Sequence, residues 1–129
     1  MLKRVMLIDD NDADLLYTRI VLERSGAAQE VLAFESARDA LAALSARPGP
    51  DVDLILLDIN MPGMNGFDFL RSYEQLPPAQ RGQAVVVMLT SSPDPADRER
   101  AASFGSVKDY VVKPLDRDAA RALLRLAPP

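Results

Sequence analysis

Five short apolar runs, each separated from the next by an amphipathic or polar stretch, constrain this chain more than any other feature. They are Val5-Met6-Leu7-Ile8, Val31-Leu32-Ala33-Phe34, Leu54-Ile55-Leu56-Leu57, Ala84-Val85-Val86-Val87-Met88-Leu89 and Tyr110-Val111-Val112. Several are apolar throughout rather than alternating, the pattern of strands covered on both faces. The intervening segments have helical spacing. Leu15, Leu16, Ile20 and Leu22 are assigned to one inward side, after the capping candidates Asn11 and Asp12. Ser36 with Asp39 three residues on resembles a capping box ahead of Ala40, Leu41 and Leu44. Phe67, Leu70 and Tyr73 follow the turn Pro62-Gly63-Met64-Asn65-Gly66, and Phe67 and Phe69 are read as core positions. A fourth helix is expected from near Pro95 to Phe104. A fifth is expected from Asp116 to Leu126, with Leu115, Ala119, Ala122, Leu123 and Leu126 inward. Strand and helix in repeated alternation predict a doubly wound α/β sheet with helices on both faces.

A chain of 129 residues suits a single domain spanning 1–129, with enough apolar residues for a core that needs no staples. The proline-containing stretches Arg47-Pro48-Gly49-Pro50, Leu76-Pro77-Pro78 and Ser92-Pro93-Asp94-Pro95 read as loops within that domain. Cysteine and histidine are both absent, which excludes disulfides, thiolate metal sites and imidazole acid–base chemistry. The first apolar run is interrupted by Asp9-Asp10, too soon for a signal peptide or membrane span, so no membrane association and a cytoplasmic location are expected. The net charge is −4 and the arginines are scattered among acids. No basic stripe suggests direct binding to nucleic acid.

The polar residues that stand out all close a strand. Asp9 and Asp10 end the first, Asp58 the third, Thr90 and Ser91 the fourth, and Lys113 the fifth. In an open α/β sheet, ligands bind beyond these carboxyl ends. Three carboxylates brought together there would raise one another's pKa, and a hard divalent cation such as magnesium resolves the conflict. With Lys113 and the Thr90 hydroxyl beside it, such a site could stabilise a phosphoryl group in transfer. The nucleophile would have to be a carboxylate, and Asp58 is the central one, leaving Asp9 and Asp10 to hold metal. Taken singly, each residue has a plainer explanation. An Asp at a strand end commonly forms a turn or caps a helix, Asp12 and Asp14 are read as caps or first-turn partners of the helix dipole, and a lone Lys or Thr there is usually solvated. The functional reading rests on the whole set falling on one edge in strand order.

Four segments carry a resemblance. Leu7-Ile8-Asp9-Asp10-Asn11 looks like the acidic pair of response-regulator receiver domains. Leu56-Leu57-Asp58-Ile59-Asn60-Met61-Pro62-Gly63-Met64-Asn65-Gly66 resembles their phosphorylation segment, Leu89-Thr90-Ser91 their switch hydroxyl, and Tyr110-Val111-Val112-Lys113-Pro114 their aromatic switch and Lys-Pro pair. The similarity runs from about residue 4 to about residue 125. It implies a chemotaxis-regulator-like, flavodoxin-like (βα)5 fold with parallel strands ordered 2-1-3-4-5. It further implies that Asp58 accepts a phosphoryl group from a histidine kinase or histidine phosphotransfer protein. Asp10 and Asp58 would ligate Mg2+ directly, Asp9 through water, and Asn60 through its backbone carbonyl. Lys113 would pair with Asp58 and then with the phosphoryl group, aided by a cis bond before Pro114. Thr90 would move toward that group and Tyr110 turn inward behind it, switching the face built from the fourth helix, fifth strand and fifth helix. Such a protein is a phosphoacceptor that assists its own phosphorylation and dephosphorylation, not an enzyme with a separate substrate.

Several features modify this picture. Leu115 stands where many relatives have phenylalanine, and the turns Ser92–Asp97 and Phe104–Asp109 depart from the usual pattern. Arg98, Arg100, Asp109, Asp116 and Arg117 could form salt bridges across a two-fold homodimer, or simply a solvated charged face. Competing readings include an aspartate-nucleophile phosphatase of the haloacid-dehalogenase class, but that needs a second Asp where Asn60 stands. A flavodoxin-like cofactor binder needs a phosphate loop where the chain has Asp9-Asp10-Asn11-Asp12. A degenerate receiver, acting by protein contact without phosphorylation, is the remaining alternative.

Overall fold

A computed structural model describes residues 2–46, 51–81 and 84–126. Its strands are β1 (Leu2–Ile8), β2 (Ala28–Phe34), β3 (Leu54–Leu57), β4 (Val85–Thr90) and β5 (Val107–Val112). Its main helices are α1 (Asp12–Arg24), α2 (Ala37–Ser45), α3 (Gly66–Glu74), α4 (Pro95–Ala102) and α5 (Arg117–Ala122), which runs on as a 3-10 turn over Leu123–Leu126. All strand pairs are parallel, in the order β2-β1-β3-β4-β5. This is the doubly wound arrangement and strand order set out above.

The sheet divides its side chains by the period of two that a strand imposes. Leu54 and Leu56 of β3 join Val5, Leu7, Val87 and Leu89 in a core closed by Leu15 and Leu22 of α1 and Ala120 and Leu123 at the C-terminal end. Ile55 and Leu57 face the opposite way, with Met6, Ile8, Val86 and Met88, against Ala40, Leu44, Phe67, Leu70, Tyr73 and Ala101. Phe67 and Phe69 are both buried. Because each face of β3 meets a separate core, all four of its residues are apolar, which is why that run does not alternate.

Local signals set the helix starts. Asn11, Ser36, Asn65, Asp94 and Asp116 each accept a bond from a backbone N–H in the first turn that follows. The reciprocal capping box forms at Asn65 and Asp68.

Several helix assignments differ from expectation. In α1 the buried residues are Leu15, Thr18 and Leu22, while Leu16 and Ile20 are 59% and 37% exposed. At about 100° per residue, positions three and seven beyond Leu15 return to its side, whereas Leu16 and Ile20 turn away from it. Likewise Ala120 is buried in α5, and Ala122 faces out. Helix α4 stops at Ala102, two residues before Phe104, and Asp116 caps α5 rather than lying within it. Pro78 does not continue a loop but opens a one-turn helix to Arg81, since proline lacks only a donor that the first turn would leave unpaired. The stretches Arg47–Pro50 and Ala127–Pro129 lie outside the described residues.

Candidate functional site

Asp9 follows β1 and Asp58 follows β3, and these strands are neighbours paired through Ile8 and Leu57. Parallel register therefore delivers the two carboxylates side by side. Both are buried, at 7% and 5% exposure, whereas Asp10 is exposed. Asp9, Asp10 and Asp58 each offer a carboxylate oxygen within 4.8 Å of the others. Thr90, completely buried, ends β4 beside β3, and Lys113 follows β5 at the sheet's edge. Thus Asp9, Asp10, Asp58, Thr90 and Lys113 come together. Asn60 lies two residues past Asp58 on the exposed side of the loop.

The loop after Asp58 is held close by Gly66. Its N–H donates to the Ile59 carbonyl at 2.9 Å. A Cβ at this position would collide with the Asp58 carbonyl oxygen and come within 2.9 Å of Ile59 Cα. Gly63 takes φ +76, the left-handed conformation that glycine adopts without steric cost. Pro62-Gly63 turns the chain, and Gly66 lets α3 start directly against the acid.

Burial pushes the Asp58 carboxyl above the usual carboxylate range. The Lys113 charge opposes this, Asp9 reinforces it, and hydrogen bonds from the Ile59 N–H (2.9 Å) and the Thr90 hydroxyl favour the ionised form. Lys113 Nζ lies 2.5 Å from Asp9 Oδ2, 2.8 Å from Asp14 Oδ2 and 3.6 Å from Asp58 Oδ2. Burial by itself would lower the lysine. Hydrogen bonds to Asp14 and Asp9, with the charges of Asp58 and Asp9, outweigh it and raise the lysine to about 12. The Lys113–Pro114 bond is cis.

The donor set fits a hard cation. Three carboxylates converge and a single ammonium serves two of them together with Asp14, so negative charge remains in excess. Such a cluster could hold a metal ion.

Tyr110, the buried residue of β5, points inward, and its hydroxyl donates to the Ser92 carbonyl at 2.7 Å. Burial raises its pKa. The Arg98 guanidinium lies 4.9 Å from the ring centroid, and Ser92 in turn donates to Asp97 at 2.8 Å. Arg100 sits 4.1 Å from the Phe67 ring centroid. Two of the three arginines considered for a dimer interface, Arg98 and Arg100, are therefore engaged within the chain. Sequence reasoning assigned Asp14 to helix capping or the first-turn dipole and missed its bond to Lys113. No local signal marks a pair separated by 99 positions. The supports of Tyr110 from Arg98 and Asp97 were also missed, because nothing in the adjacent pair Asp97-Arg98 on α4 marks a contact with a strand aromatic twelve residues on.

Residues 5–125 match the family described as the response regulator receiver domain, and the chain belongs to that family. The sensor histidine kinase GacS of Pseudomonas protegens is 32% identical over 123 residues, which is 95% of this chain and 13% of GacS. The protein PilH of Pseudomonas aeruginosa is 30% identical over 115 residues, 89% of this chain and 88% of PilH. A two-component response regulator from Cytophaga hutchinsonii has a crystal structure similar to this fold, with a TM-score of 0.85 and 28% identity, covering 97% of this chain and 96% of that one. This chain thus spans a small part of GacS and most of PilH. Among the described residues, no helix is long and apolar enough to cross a membrane.

Proposed function

We propose that this receiver domain is a magnesium-dependent switch whose phosphoacceptor is Asp58. The observation that carries the reading is the meeting of Asp58 with Asp9, Asp10, Thr90 and Lys113 at one sheet edge. Asp10 and Asp58, with Asp9 beside them and the Asn60 carbonyl, would hold Mg2+, which supplies charge compensation for the incoming phosphoryl oxygens. An Asp58 carboxylate oxygen attacks phosphorus as the bond to the histidine nitrogen of a kinase or phosphotransfer protein breaks. The electron pair of that bond leaves with the imidazole. Lys113 balances charge on one phosphoryl oxygen, and the Thr90 hydroxyl, now bonded to Asp58, donates to another. Partner binding, self-association or relay through the face of α4, β5 and α5 would then follow a shift in the Thr90–Tyr110 pair.

The test is intact mass after incubation with Mg2+ and a small-molecule phosphodonor. The wild type gains one phosphoryl group only with the metal present, and Asp58→Asn gains none. Equal gain in both would remove Asp58 from the role.

One observation favours a second reading, a receiver that acts by contact without phosphorylation. Tyr110 is held inward by its bond to the Ser92 carbonyl, a latch that does not involve Asp58. Absence of any mass gain in the wild type would select this alternative.

A further inference from the structure

Asp14 belongs to a closed ring of bonds that grips Lys113. The Asn11 N–H donates to Asp9 Oδ1 at 3.0 Å, and Asn11 Oδ1 accepts the Asp14 N–H at 3.0 Å. The remaining oxygens of the two acids, Asp9 Oδ2 and Asp14 Oδ2, accept Lys113 Nζ at 2.5 and 2.8 Å. The helix cap thus fixes the spacing of both acids, and the buried neighbour Leu15 anchors the turn that carries Asp14. Asp58 is left at 3.6 Å from the ammonium, outside hydrogen-bond range.

We propose that Asp14 is a positioning residue that tethers the Lys113 ammonium on the α1 side of the site and so restrains phosphoryl acceptance at Asp58. This inference rests on the phosphoacceptor reading given above. An ammonium has three protons to place, and two of them are spent on Asp9 and Asp14. To meet a phosphoryl group on Asp58, Lys113 must turn from α1 toward β3. Asp9 closes β1, the strand paired with β3, and can keep its bond through such a turn, whereas Asp14 belongs to α1 and would give its bond up. The Asp14 side chain is 42% exposed, so its bond can be exchanged for water. A partly exposed pair of this kind shifts an equilibrium by about twofold to fivefold. The tether therefore sets a threshold and does not block the reaction.

The experiment measures the initial rate of aspartyl-phosphate formation on the full chain with Mg2+ and acetyl phosphate. In that step the acyl O–P bond breaks, the Asp58 O–P bond forms, and acetate leaves with the electron pair. Asp14→Asn is expected to react about twofold to fivefold faster than wild type. Asp14→Ala, which cannot re-form the bond in any rotamer, gives the same gain and serves should the first variant fold poorly. Asp14→Glu keeps a carboxylate and returns the rate toward wild type. Asp12→Asn removes the same charge from the same turn at an exposed residue outside the Lys113 cluster, and leaves the rate unchanged. In a Lys113→Met background, Asp14→Asn has no effect.

An unchanged or slower rate for Asp14→Asn and Asp14→Ala overturns the tether. So does an equal gain from Asp12→Asn, or a gain that persists without Lys113, because either result would be a general charge effect. If even the wild type takes no phosphoryl group, the assignment of Asp58 fails first and the tether falls with it.

Discussion

Strands β3 and β5 each deliver one member of the charged site, yet they are built in opposite ways. All four residues of β3 are buried, and it is paired on both sides, to β1 and β4. Strand β5 is an edge strand in which only Tyr110 is buried, and its pairing with β4 slips between Val86 and Val87. Asp58, the proposed acceptor, is thus mounted on the fully buried centre of the sheet. Lys113 and Tyr110 sit on or beside the strand with the fewest buried residues, where local rearrangement costs least. A switch of the proposed kind needs this asymmetry: a fixed point where charge changes and a movable one that responds.

The largest effect that can break the comparison is on packing. Ile55→Ala in β3 should destabilise by about 2–5 kcal/mol, as expected for a fully buried aliphatic side chain. Val111→Ala in β5, only half-buried, should lose roughly 1 kcal/mol or less. Urea unfolding of the two variants checks the difference, and equal losses would mean that the edge strand is as fixed as the centre.

A smaller effect is expected where β3 meets its loop. Gly66→Ala places a methyl group against the Asp58 carbonyl and Ile59 Cα. Since backbone must yield, the cost should be about 1–3 kcal/mol. Thermal unfolding measures it, and the rate of phosphorylation should fall too because Asp58 is displaced. A neutral outcome would show that the loop, unlike its strand, is free to move.

The smallest effects are in pH dependence. Asp58 is raised above 3.8, so the folded state holds that proton more tightly than the unfolded chain does. Its contribution to stability is greatest below 3.8 and is lost as pH rises through the raised value. Asp58→Asn should remove that loss and leave the protein more stable than wild type at neutral pH. Lys113 is raised from 10.5 to about 12, so its contribution is complete below 10.5 and disappears as pH climbs through about 12. Unfolding midpoints against pH for wild type, Asp58→Asn and Lys113→Met would show whether each strand end loses the slope assigned to it.

Much of this is legible in the sequence. Continuous apolar runs such as Leu54–Leu57 identify doubly covered strands whatever the facing of each residue, because both faces meet a core. The residue that ends each run is then placed at the sheet's carboxyl edge by topology alone. Asp9, Asp58, Thr90 and Lys113 were found in this way. The turn chemistry of Pro62, Gly63 and Gly66 and the cap at Asn65 were local as well. Helix facing was less legible. Leu16 and Ile20 are apolar but exposed, and Thr18 is polar but buried. A helix offers several apolar stripes, and only packing against the sheet selects one.

What the sequence by itself determined is therefore the order of elements, the class of sheet, and the set of acids, hydroxyl and lysine at its edge. These depend on strand period, chain reversal and side-chain chemistry, which are short-range properties. The tertiary structure alone decided which carboxylates Lys113 holds, how Tyr110 is latched by Ser92 and Arg98, and how tightly α3 closes on Asp58. The physical reason is range. Ion pairs and ring contacts fall off over a few ångströms, so they depend on distances between residues as many as 104 positions apart, which only the folded sheet fixes.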